Sequence, residues 1–160
     1  MGENPDPESL SIARLAGDSA EQRRAESLML DLLEQQLHCR LERPWRCSIR
    51  GGGRLEVDGG TEDPENPLLV EAWAHQGPPK PAQKAKVLTD AFKLFFAGTL
   101  LSRRPRLILL FSDESAAAPF RSLRTWPAAA IREVGIEVVV VSLPEEERAR
   151  IREAQRRQYR

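Results

Sequence analysis

"RLEVDGG" at residues 54–60 and "PLLVEAWAHQ" at residues 67–76 decide how this chain folds. Both are short aliphatic runs bounded by glycine or proline, which is how strands read, and the acidic turn "TEDPENP" joins them. Upstream, "WRCSIR" at 45–50 reads as a further strand, connected through the glycine-rich "GGGR" of 51–54 as a hairpin. Three strands in succession predict an antiparallel meander. Asp58 closes the middle strand, and Glu71 sits inside the last one. Alternation along that last strand places Glu71, Trp73 and His75 on one face and Val70, Ala72 and Ala74 on the other.

Helices are expected on either side of the meander. Ser19 and Gln22 resemble a capping box, and Ala25, Leu28, Met29, Leu32, Leu33 and Leu37 recur at helical spacing up to about His38. Residues 1–17, with "NPDP", read as a flexible polar leader, so that residues 18–160 form a single α/β domain. After "GPPKP", a long helix presents Val87, Leu88, Ala91, Phe92, Leu94, Phe95 and Leu101 as a broad apolar face. "RLILLFS" and "IEVVVVSL" read as strands buried on both faces. Between them lies a helical segment interrupted at "TWP", with Pro127 at a first helical position and an end at Gly135. A last helix follows Pro144, its glutamates leading and its arginines trailing. The order is α-β-β-β-α-β-α-β-α, an α/β fold with a mixed central sheet flanked by helices.

Composition narrows the functions open to such a domain. Charges balance at 24 basic and 24 acidic residues, which disfavours a strongly basic nucleic-acid binder and leaves room for a local patch. There is no signal-like start and no apolar run of membrane-spanning length, so a cytoplasmic protein without a membrane partner is expected. Cys39 and Cys47 lie outside any paired metal or disulfide pattern. "GGGR" lacks the strand-to-helix setting of a phosphate loop, which disfavours a small-ligand α/β protein. Oligomeric state stays open, a homodimer included.

A helix, a meander bearing Asp58 and then Glu71-Ala72-Trp73, a second helix and further strands together resemble the PD-(D/E)xK, or restriction-endonuclease-like, nuclease superfamily. The resemblance runs from about Ser19 to Leu143. It implies a restriction-endonuclease-like fold in which Asp58 and Glu71 hold Mg²⁺ or Mn²⁺, with the Ala72 carbonyl as a further oxygen ligand and Glu26 as an accessory acid. It also implies a metal-dependent phosphodiester hydrolase acting on DNA. Independently, Mg²⁺ takes hard oxygen ligands and commonly only one or two protein carboxylates, which Asp58 and Glu71 can supply. The structural alternative is that Asp58 opens the turn at Gly59 and Gly60 while Glu71 pairs with a nearby cation.

Trp73 departs from the pattern, for it stands where the superfamily carries lysine. Indole offers one neutral donor and cannot stabilise developing phosphorane charge. The chain's only four lysines are Lys80, Lys84, Lys86 and Lys93, all in the segment after the Glu71 strand; every other cationic residue is arginine. Some members of the superfamily carry the lysine on this helix, often beside a glutamine, and "AQKAK" resembles that arrangement. Lys84 and Lys86 are therefore the expected catalytic lysines, with Gln83 beside them and Lys84 turned toward the sheet. Lys93 reads as continuing a solvated stripe with Lys86 and Asp90. The alternative function is a catalytically silent nuclease-like module that binds nucleic acid or a protein partner.

Overall fold

The computed structural model describes residues 7–158, with side chains described over 19–158. The chain runs α1 (Pro7–Leu37), β1 (Trp45–Ser48), β2 (Arg54–Val57), β3 (Gly59–Thr61), β4 (Leu68–Trp73), α2 (Pro81–Thr99), β5 (Arg106–Phe111), α3 (Glu114–Arg121), α4 (Trp126–Glu133), β6 (Ile136–Val140) and α5 (Glu145–Gln158). The main sheet has the order β3-β4-β5-β6, with β3 antiparallel to β4 and both β5 and β6 parallel to their neighbours. β1 and β2 form a separate antiparallel hairpin. The architecture is mixed α/β.

All six residues of β4 are buried, because helices cover both of its faces. On one face Leu69, Trp73, Leu109 and Phe111 meet Val87 and Leu94 of α2, together with α3 and the hairpin. On the other, Val70, Ala72, Ile108 and Leu110 meet Met29 and Leu33 of α1, together with α5. The odd and even positions of β4 thus divide as strand alternation requires.

The middle strand of the expected meander is two strands. The chain breaks at Asp58, where β2 stops pairing with β1 and β3 begins pairing with β4. Glycine is needed beyond the break because a Cβ on Gly60 would lie 2.8 Å from Leu69 Cδ2 and 2.9 Å from Trp45 Cγ. No real Cβ sits so close, and here two core side chains would have to move.

Other expectations are corrected by packing. The first helix starts at Pro7, so residues 7–17 of the expected leader are helical; proline at a first helical position lacks only an N–H that would have no partner. Residues 1–6 of that leader lie outside the described residues. β6 is an edge strand with half-buried Val138, Val139 and Val140, not one buried on both faces. The apolar face of α2 is wider than its contact, since Val87, Ala91, Leu94 and Ala97 are buried while Phe92 is 73% exposed. The segment after β5 splits at 122–125 into α3 and α4, and Gly135 takes a positive φ of 78° just beyond α4, as expected. No described helix is long and apolar enough to cross a membrane.

Gly60→Ala is expected to destabilise the fold by about 1–3 kcal/mol through overpacking. Gly51→Ala, in the open hairpin turn at φ 95°, meets no neighbour and tests backbone strain alone. Urea unfolding of both variants separates the two effects, and an unchanged midpoint for Gly60→Ala would contradict the packing described.

Candidate active site

β3 ends at Gly59, so the upper half of β4 has no strand beside it on that edge. Val70, Ala72 and Ala74 direct their backbone groups to this edge, and those of Val70 are still taken by β3. Beyond it, carboxylates substitute for the missing strand. The Ala72 N–H donates to Asp58 Oδ2 at 2.8 Å, and the Ala74 N–H donates to Glu26 of α1. One more step of the β3–β4 register places Asp58 opposite Glu71. Two of the acids singled out from sequence are thereby fixed at one strand edge, each holding a backbone donor.

Glu71 lies on the other side of the strand, toward α2, and is only 5% exposed. Lys93 Nζ reaches its Oε1 at 2.6 Å as an ion pair, but no donor meets that oxygen at hydrogen-bonding angles. Burial pushes the Glu71 carboxyl up to about 8, and the charge of Asp58 adds to the effect while Lys93 opposes it. Glu26 is pushed up to about 7, again chiefly by burial, with the Gln22 side-chain donor (Nε2 to Oε1, 3.0 Å) and Lys86 opposing and Asp58 reinforcing. Lys86 donates to Asp90 Oδ2 at 2.8 Å and feels the charges of Glu26 and Glu71; burial favours its neutral form, but these acids outweigh it and raise its pKa. Asp90 Oδ1 is 4.0 Å from Lys93 Nζ. Glu26, Asp58, Glu71 and Asp90 therefore share one electrostatic cluster with Lys86 and Lys93.

The structure sorts the helix residues differently from the sequence. Lys93, read as part of a solvated stripe, is the lysine on Glu71. Lys84 is exposed and does not turn toward the sheet, and the first buried residue of the helix is Val87. Gln83 accepts from the Lys80 backbone N–H at 2.8 Å and closes the start of the helix. The signal that could have found Lys93 was present: Lys86 and Lys93 are two turns apart and flank the buried Val87 and Leu94, so both project from the margin of the buried stripe.

Trp73 occupies the lysine position because that position faces the core. Its ring stacks on His75 with centroids 4.5 Å apart and meets Phe111 edge-on at 6.1 Å. An ammonium there would lose its hydration among aromatic side chains. Burial holds His75 below its usual pKa, opposed by its bond to the Pro78 carbonyl.

Among the described residues, no three His, Cys, Asp or Glu side chains are arranged to hold a metal ion by themselves. The donor set still fits a hard divalent cation, which needs only one or two carboxylates. Four carboxyls face two ammonium groups, leaving two negative charges if all ionise. Oε1 of Glu71 is buried without a directed donor.

Protonated Glu71 is the form the fold favours, so the folded state retains a proton that the unfolded chain releases above about pH 4.5. The associated stability is complete below that pH and is lost as pH rises through about 8. Between pH 5 and pH 8.5, wild type is expected to lose on the order of 4 kcal/mol relative to Glu71→Gln, measured by urea unfolding. A parallel pH dependence would contradict the buried, raised carboxyl. At pH 8.5, Lys93→Met should cost about 3 kcal/mol by leaving Glu71 without its cation, and Glu71→Gln in the same chain should recover most of that.

No protein-family model, curated protein or solved structure matches this chain.

Proposed function

We propose that the protein is a metal-dependent phosphodiester hydrolase of the restriction-endonuclease-like class, acting on DNA, with Asp58 and Glu71 as the cation-holding pair. The observation that carries this reading is the gathering of four carboxyls, Glu26, Asp58, Glu71 and Asp90, around the end of β4 with only Lys86 and Lys93 among them, Glu71 being buried. The succession of α1, a break-bearing strand with Asp58, β4 with Glu71, and then α2 also fits the superfamily resemblance.

A bound Mg²⁺ or Mn²⁺ would supply Lewis acidity and lower the pKa of a water at the scissile phosphate. Asp58 and Glu71 provide hard oxygens for that ion, and Glu26 lies at the same strand edge as an accessory acid. In this reading Lys93 performs the task that Trp73 cannot. Its ammonium rests on Glu71, and it would turn to the phosphoryl oxygens when a cation takes over the carboxylate. Lys86 stands one helical repeat away as the second positive charge, held by Asp90. Gln83 and Lys84 lie outside this contact set.

A second reading has its own support, since Asp58 and Glu26 already hold backbone amides and Glu71 already holds a lysine. The cluster would then be a strand-edge fastening in a silent module. Calorimetric titration with Mn²⁺ separates the two. Wild type is expected to bind one ion and release protons near pH 7, because the raised carboxyls must ionise to bind it. Glu71→Ala and Asp58→Ala should each weaken binding by about 10-fold or more. Undiminished binding in both variants, or none in wild type, would sink the metal-hydrolase reading.

A further inference from the structure

Two adjoining hollows, of about 70 and 330 Å³, lie at the carboxyl end of β4 between α2 and α5 and share His75, Gln83 and Gln155. The smaller reaches Gln22, the residue that donates to Glu26, so the groove leads to the edge of the acid cluster. The larger is lined by Lys80, Arg152 and Arg156, and no aspartate or glutamate lines either hollow. In a chain of balanced charge, this groups three cations beside an acid cluster, with the glutamates that pair with the two arginines outside the lining.

Resting on the nuclease reading, we propose that this groove binds the phosphodiester chain of a single-stranded nucleic acid on one side of the Glu71 cluster, with Arg152 and Arg156 on successive phosphates. Arg152 pairs with Glu145, and Arg156 pairs with Glu153 at 2.6 Å. Both pairs lie at the surface, where they contribute little to stability. Each guanidinium has five donors in a planar fork, and one carboxylate does not exhaust them. The half-buried His75, whose ring is backed by the buried Trp73, lines both hollows, and the side-chain amides of Gln22, Gln83 and Gln155 add neutral donors and acceptors beyond the bonds they make within the fold. Cations that follow a backbone, with aromatic and amide groups for bases, are what a single strand requires. An acidic polypeptide would use the cations alone.

The test is fluorescence anisotropy of a labelled single-stranded DNA oligonucleotide on the full chain in Ca²⁺, comparing wild type, Arg152→Glu/Arg156→Glu, and Arg103→Glu at the opposite end of the sheet. The double reversal is expected to weaken binding at least 10-fold, and the slope of log Kd against log salt should flatten by about 1.4 for two lost phosphate contacts. Arg103→Glu should leave both unchanged. If the reversed chain fails to fold, Arg152→Gln/Arg156→Gln should produce the same flattening. Equal affinity in the double variant and wild type, no binding in wild type, or displacement by polyglutamate as effective as by unlabelled oligonucleotide would each overturn the proposal. Mn²⁺ calorimetry keeps the two failures apart. Intact Mn²⁺ binding with no groove effect rejects the groove alone, whereas absent Mn²⁺ binding with a groove effect rejects hydrolysis and leaves a nucleic-acid-binding module.

Discussion

Glu71 stands in a strand none of whose six residues reaches solvent, and a carboxylate there must be protonated, paired or bound to a cation. Each solution makes demands on the neighbourhood. Protonation places the titration within the range of ordinary solution pH. Pairing requires a long basic side chain from an element packed over that face, and α2 supplies Lys93. Binding a cation requires further oxygens at the same level of the sheet, which Asp58 supplies from the break between β2 and β3. The break is therefore a structural requirement of the site. Had β3 continued past Gly59, the Ala72 and Ala74 amides would pair with backbone, and Asp58 and Glu26 would lose the contacts that hold them there.

Trp73 follows from the same constraint. The face of β4 toward α2 carries two functions in succession: Glu71 beneath Lys93, then Trp73 among Phe111 and His75. A lysine at position 73 would add a second buried cation two residues from the first. On the helix, Lys93 sends its four-carbon stem across the margin of the apolar stripe while the ammonium stays near the surface, since it keeps a third of its side chain exposed. The strand position is then free for an aromatic that closes the core.

Most of the architecture was legible in the sequence because it rests on periodicity and punctuation. The helical stripe of α1, the buried run of β5, the arrest of α4 before Gly135 and the charge order of α5 all depend on residues close together in the chain. What was not legible depends on partners distant in sequence. Nothing near Val138 says that β6 lies at an edge, because that depends on which strand is absent beyond it. Lys84 and Lys93 lie nine residues apart, on opposite sides of α2, so which of them meets Glu71 depends on how the helix is turned over the sheet. The polar fastening at the end of β4 was invisible for the same reason. Buried Gln76 donates to Ser112 Oγ at 2.8 Å and accepts from Arg148 at 3.2 Å, and its backbone N–H and carbonyl pair with the side-chain amide of Gln155 of α5, contacts whose partners are 36 to 79 residues away.

The groove and the acid cluster are neighbours of opposite sign, and this bears on how the proposed substrate could bind. A phosphodiester brought to the cluster without a metal ion adds negative charge beside carboxyls that outnumber the ammonium groups, so that end of the site repels it once Glu26 and Glu71 ionise, above about pH 8. The groove has no acid in its lining, and the glutamates paired with Arg152 and Arg156 lie in exposed, exchangeable pairs. In the proposed reading a strand would be held through the groove whether or not a cation is present, and only its approach to Glu71 would depend on the metal. Cation and phosphate would then favour each other's binding at the cluster: the ion removes the repulsion, and the phosphate oxygens complete a coordination shell that Asp58 and Glu71 leave unfilled.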